Sequence, residues 1–193
     1  MTGRRGLSRG AVVDAATEIV ESDGASALTL SAVARELGVK PPSLYNHVDS
    51  LEQLRRDVAL RAVGDLGDRL VAVAMGRAGR DALVAIADEV RTYATEHYDL
   101  YELTVRARPG DDEFARASLR AVEPLLAVFR GYDLDGVEAI HAARSLRATL
   151  HGFVTLEAVG GFGLDVDVDE SFTWLVERLA ETLEASAARS VGR

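Results

Sequence analysis

The stretch from Leu28 to Leu54 reads LTLSAVARELGVKPPSLYNHVDSLEQL, and its punctuation decides the fold. Thr29 or Ser31 can cap a short helix whose apolar face is Val33, Ala34 and Leu37, because a hydroxyl at that position accepts from an otherwise unpaired backbone N–H. Gly38 closes this helix after two turns, where a positive φ suits glycine. Lys40-Pro41-Pro42-Ser43 then opens a second short helix. Proline is tolerated there because the first N–H groups of a helix have no partner anyway. Two short helices joined by a tight turn describe a helix-turn-helix. Val39, Leu44 and Val48 would pack inward, leaving Lys40, Ser43, Tyr45, Asn46 and His47 outward. An exposed helix face with no duty in the core fits the major groove of B-DNA, where its donors and acceptors meet base edges and phosphates. The plainer alternative is an αα corner with no such role. Likewise His47 can be a cap on free carbonyls rather than a phosphate ligand, and Tyr45 a packing residue with a wet hydroxyl.

Helical signals continue on both sides. Upstream, Ser8 is a candidate N-cap, and Val12, Ala15, Ala16, Ile19 and Val20 follow helical spacing until Gly24. Downstream, Ser50 with Gln53 forms a capping box for a helix through about residue 73. Further helices are expected over 81–97, 98–106, 113–130 and 137–159, the last stopped by Gly160-Gly161-Phe162-Gly163. Asp167 with Glu170 can cap the final helix, whose stripe is Phe172, Leu175, Val176, Leu179 and Leu183. The expected class is all-α with about nine helices. An N-terminal three-helix DNA-binding domain (1–55) would precede a helical ligand-binding and dimerisation domain (56–193).

Composition fits this reading. The 193 residues are 48% hydrophobic and 27% charged, an ordinary globular mixture. With no Cys, disulfides, thiolate metal sites and cysteine nucleophiles are excluded. No apolar run approaches the length of a membrane span and no signal peptide is evident, so a cytoplasmic protein without membrane association is expected. Net charge is −9, which argues against nucleic acid until its distribution is considered. Residues 1–61 hold eight basic and eight acidic groups, so the remaining residues carry the whole excess of acid. A neutral first third can sit on phosphate; the acidic remainder cannot.

At residue level the first stretch resembles the DNA-binding domain of the TetR family of bacterial transcription regulators. The likeness covers about residues 8–60 and rests on Thr29, the VARELGV run (33–39), Pro42-Ser43-Leu44-Tyr45, His47-Val48 and Leu54. It implies a homodimer that places one recognition helix per subunit in the major groove, with Pro42, Ser43, Tyr45 and His47 at positions that touch bases or phosphates. Two positions depart from the pattern: Leu51 stands where many members have a phosphate-binding Lys, and Ser31 where some have a base-reading Arg. Phosphate grip is therefore expected from Arg4, Arg5, Arg9, Arg55 and Arg56. The DNA-binding set is Arg4, Arg5, Thr29, Lys40, Pro42, Ser43, Tyr45, Asn46 and His47.

The second half resembles the effector-binding domain of the WHG type through EHYDLYEL (96–103), residues 139–163 and DESFTWLV (169–176). The motif survives as His151-Gly152 without its tryptophan. Arg144, Arg147, His151 and Thr155 share one helix face by their spacing of 3, 4 and 4. This stripe is either a solvated surface or part of a pocket for an acidic or carbonyl-bearing effector. Tyr93, His97, Tyr101, Phe114 and Phe129 would supply apolar walls, unless they are plain core. The expected effector set is Tyr93, His97, Tyr101, Arg144, Arg147 and His151. The last two helices are the natural dimer surface, giving a four-helix bundle about a two-fold axis. Recognition helices one DNA turn apart, about 34–36 Å, then call for a near-palindromic double-stranded operator.

Enzymatic chemistry finds no foothold. His47, His97, His141 and His151 make no metal-ligand spacing. Residues 165–176 start like a calcium loop but have Glu170 where Gly is needed and Val176 where Glu is needed. Gly160-Gly161-Phe162-Gly163 lacks the following Lys-Ser/Thr of a phosphate loop. No metal and no cofactor are expected. The competing function is a helical protein–protein adaptor that does not bind DNA.

Overall fold

The computed structural model describes residues 7–106 and 108–190, with side chains to residue 187. Among these residues there are eight α-helices and no strand: α1 (Arg9–Asp23), α2 (Leu30–Glu36), α3 (Leu51–Ala74), α4 (Gly79–Glu96), α5 (Tyr98–Thr104), α6 (Asp112–Arg130), α7 (Gly136–Ala158) and α8 (Val168–Ser190). Short 3₁₀ segments at Ala25–Ala27 and Pro41–Asn46 complete the order. The chain is all-α, as its periodicity implies.

The chain divides into two compact units, residues 1–63 with 97–109, and residues 64–96 with 110–193. The first unit therefore runs past the expected boundary at 55 and takes in α5 as well. The reason is hydrophobic: Val58 and Ala62 of α3 and Leu100 of α5 belong to the same buried cluster as Val12, Val20, Leu28, Val33, Leu44 and Leu54. Each fully buried Leu or Val in that cluster contributes about 2 kcal/mol.

Local chemistry sets the helix ends in this unit. The Ser8 hydroxyl accepts from Ala11 N–H at 3.2 Å and starts α1, which Gly24 stops at φ +84°. Between the two sequence candidates for the α2 cap, Thr29 takes the role: its hydroxyl accepts from Ala32 N–H at 3.1 Å. Gly38 adopts φ +65° as the turn requires. Ser50 caps α3 through Gln53 N–H at 3.0 Å. The capping box is only half made, because the Gln53 amide donates to Asp57 (2.9 Å) instead of turning back.

The expected third helix is a 3₁₀ segment rather than an α-helix. Ser43 N–H bonds to Lys40 C=O at 2.9 Å and His47 N–H to Leu44 C=O at 2.8 Å. Pro41 and Pro42 have no N–H to give and fix φ, and six residues leave little room for an i→i+4 ladder.

In the second unit α4 packs against α6, α7 and α8. Leu83, Ile86, Tyr93, Phe129, Leu146, Leu150, Val154, Phe172 and Val176 are buried there. Asp111 caps α6 through Phe114 N–H (3.0 Å), and Asp167 caps α8 through Asp169 and Glu170 N–H (2.7 and 3.1 Å). Arg91 of α4 forms ion pairs with Glu157 of α7 and Asp169 of α8, its guanidinium 4.8 Å from the Phe172 ring centroid. These bonds hold its pKa well above the usual arginine value, against the opposing effect of burial.

Candidate nucleic-acid interface and effector positions

The segment from Lys40 to Val48 combines one buried side and one open side. Leu44 is completely buried and Val48 nearly so, anchoring the segment in the first unit's core. Between them Tyr45 is 58% exposed, and Lys40, Pro42 and Asn46 are exposed as well. Ser43 and His47 are half-buried at its edges. A spacing of four between Leu44 and Val48 leaves the intervening side chains to point elsewhere. The result is a ridge with a phenol, an amide, an ammonium, a hydroxyl and an imidazole, the donor and acceptor types that read base edges and grip phosphate.

Other expected contributors have different places. Thr29 is exposed, but its hydroxyl is occupied in capping α2. Arg4 and Arg5 lie outside the described residues. Arg9 is not available as a phosphate ligand in the expected way, because its guanidinium grips Asp57 with three hydrogen bonds of 2.8–3.0 Å. Asp57 is 8% exposed and also lies 3.6 Å from Arg56. This Arg9–Asp57–Gln53 network joins the first turn of α1 to α3. No sequence signal announces it, since the partners stand 48 residues apart. Arg55 is half-buried, Leu51 packs partly against the core, and Ser31 is exposed.

The expected effector residues are divided between the two units. His97 and Tyr101 belong to the first unit, whereas Tyr93, Arg144, Arg147 and His151 belong to the second. His97 Nδ1 pairs with Glu21 Oε1 at 2.8 Å, and Tyr101 is buried on α5. In the second unit Tyr93 is fully buried with the Arg69 guanidinium 5.1 Å from its ring centroid. Arg144 and Arg147 are exposed on α7, away from the buried Leu146, Leu150 and Val154. His151 is half-buried, with the Thr155 hydroxyl 3.4 Å from its Nδ1. Phe114 and Phe129 are core residues.

The ridge and the helical scaffold have counterparts among known proteins. Residues 12–58 match the family model described as bacterial regulatory proteins of the tetR family, and residues 83–179 match the tetracycline repressor-like C-terminal domain. The chain belongs to the TetR family. It is a DNA-binding transcriptional regulator with an N-terminal helix-turn-helix. TetR-family regulators bind DNA operators and small-molecule effectors and form dimers; they are not a family of enzymes.

Its relatives agree. It is 43% identical over 180 residues to the HTH-type transcriptional regulator Rv0681 of Mycobacterium tuberculosis, covering 92% of this chain and 82% of that one. It is 32% identical to the HTH-type transcriptional regulator YobS of Bacillus subtilis, covering 91% and 92%. Two solved structures share the fold. One is apo ActR from Streptomyces coelicolor (TM-score 0.72, 18% identity, 95% of this chain and 98% of that one). The other is a single-residue variant of TetR from Acinetobacter baumannii in complex with minocycline (TM-score 0.69, 23% identity, 93% and 97%). No helix among the described residues is long and apolar enough to cross a membrane.

Proposed function

We propose that this regulator is a cytoplasmic repressor that occupies a near-palindromic operator as a homodimer and leaves it when a small molecule binds. The observation that carries the proposal is the Lys40–His47 ridge, anchored by Leu44 and Val48 and open at Tyr45 and Asn46. Lys40, Pro42, Ser43, Tyr45, Asn46 and His47 are the proposed contacts to DNA, with Arg4 and Arg5 ahead of them. Thr29 supports the ridge by capping α2 and meets phosphate only as a secondary duty. The first 55 residues bear this task, and the rest bears effector binding and dimerisation through α7 and α8.

Effector binding belongs to the second unit. The buried interior shared by α4, α6 and α7 is apolar and aromatic, with Tyr93, Phe114 and Phe129, and the half-buried His151 is its polar neighbour. An effector suited to those walls is chiefly apolar, with a single polar group for Tyr93 or His151. Release follows if the effector prefers a dimer whose ridges no longer match adjacent grooves, since a ligand shifts an equilibrium only by its preference between states.

The test is to select fragments of the source genome on the purified regulator and measure binding by fluorescence anisotropy over a range of salt. A repressor of this kind binds a two-fold-symmetric site with a steep log–log fall in affinity as salt rises. Binding that is absent, or indifferent to salt, favours a helical adaptor and overturns the proposal.

A further inference from the structure

The Arg9–Asp57–Gln53 network is closed to solvent at one end and open at the other. The Asp57 side chain is 8% exposed and that of Arg9 58%. Arg9 turns Nε and Nη2 inward onto the two carboxylate oxygens. Those nitrogens form one edge of the planar guanidinium fork, so Nη1 lies at its opposite side. Among the described residues no acceptor meets Nη1. A long side chain in water samples many rotamers; two bonds to a fixed carboxylate hold this one in a single pose.

The pose lies beside the ridge. The Gln53 amide donates to Asp57 Oδ1 at 2.9 Å, the same oxygen that accepts from Arg9 Nη2. Gln53 is in the first turn of α3, whose cap Ser50 stands three residues after His47. The Arg9 guanidinium is thus placed where the chain of the ridge enters α3. Its charged surroundings are mixed. Asp49 and Glu52 are exposed on either side of Ser50 in the chain. Arg56 lies 3.6 Å from the Asp57 carboxylate, and Asp14 is paired with Arg61. A mobile cation here would be drawn to Asp49 or Glu52; Asp57 keeps Arg9 off them and aimed outward.

We infer that Arg9 takes a DNA phosphate on Nη1 while Asp57 holds its other edge, which makes Asp57 a positioning residue for operator binding. Such a bond is charge-assisted and directional. Phosphate contacts set orientation and register rather than sequence choice, so this anchor fixes how the ridge lies in the groove. The inference rests on the reading of Lys40–His47 as the DNA-contacting surface and adds a backbone contact beside it.

The test is the salt dependence of binding, by anisotropy, to the selected operator and to an unrelated duplex. Arg9→Gln and Asp57→Asn together replace the ion pair with two amides, leaving no buried charge unpaired, and far-UV circular dichroism verifies the fold. The double variant binds both duplexes about 10-fold more weakly, and its log–log salt slope is shallower by about one. Asp57→Asn alone removes a negative charge, which by charge count tightens binding. An unaimed Arg9 instead weakens operator binding by about 3-fold, and this loss is absent once Arg9 is already Gln. An unchanged slope in the double variant overturns the Arg9 contact. An Asp57→Asn chain that binds as tightly as the unsubstituted one, or that loses as much in the Arg9→Gln background, overturns the positioning role. An unsubstituted chain with no salt-dependent binding to any fragment overturns the ridge reading, and the Arg9 contact with it.

Discussion

The two units use charge in different ways. The first places a carboxylate, Asp57, almost out of contact with solvent and saturates it with Arg9, Gln53 and a neighbouring Arg56. The second keeps its ion pairs at the margins of an apolar interior: Arg91 with Glu157 and Asp169, Arg80 with Glu184, Arg69 with Glu89 and Glu96. A buried charge is costly to leave unpaired, so its network tolerates one arrangement of α1 on α3. Pairs within reach of water break and re-form at little cost. The DNA-reading unit is thereby held in one geometry, while the other is fastened by ties that can be exchanged.

Substitutions break or sharpen this contrast. The largest effect is expected at the second unit's apolar centre, where Phe129→Ala lowers unfolding free energy by about 4 kcal/mol in urea titration. Next, Asp57→Ala costs about 2–3 kcal/mol by leaving Arg9 and Gln53 without their acceptor. Arg91→Met, at the margin of the second unit, costs about 1 kcal/mol, since the long side chain still covers Phe172. Equal losses at Asp57 and Arg91 would remove the contrast. Smaller still, Tyr45→Ala changes stability by under about 0.5 kcal/mol, yet weakens operator binding about 10-fold in the anisotropy titration.

The smallest effect concerns pH. Partial burial on α4 pushes the Asp88 carboxyl above its ordinary range, with Arg91 pulling the other way. A carboxylate raised by folding opposes stability once it ionises, so its penalty grows as pH rises through the folded value. Asp88→Asn therefore raises the unfolding free energy slightly at neutral pH, by under about 0.5 kcal/mol once solvent screening is allowed for. The gain vanishes below about pH 4, where the wild-type carboxyl is protonated. A gain that persists in acid would assign the effect to something other than charge.

Helix positions were legible in the sequence because their determinants are local. Ser8, Thr29 and Asp167 each lie next to the backbone groups they cap. The ridge was legible for the same reason: the two anchors, Leu44 and Val48, stand one helical turn apart, and Tyr45 sits between them. The 3₁₀ form of that ridge was not, since residue spacing distinguishes poorly between short helices of either pitch. Long-range pairing was not legible either, with 66 residues between Arg91 and Glu157 and 104 between Arg80 and Glu184. Periodicity put Arg144, Arg147 and His151 on one side of α7 without saying what that side faces. It also gave no sign that α5 joins the first unit.

The paired prolines at the head of the ridge carry a thermodynamic consequence. Their rings fix φ at two successive positions, so Pro41 and Pro42 have already surrendered torsional freedom that a flexible reading segment would lose on meeting its target. Little ordering is left for the polypeptide to undergo there when the duplex arrives. The unfavourable entropy of complex formation then falls mainly on lost overall motion and the bending of the DNA, set against the favourable release of counterions.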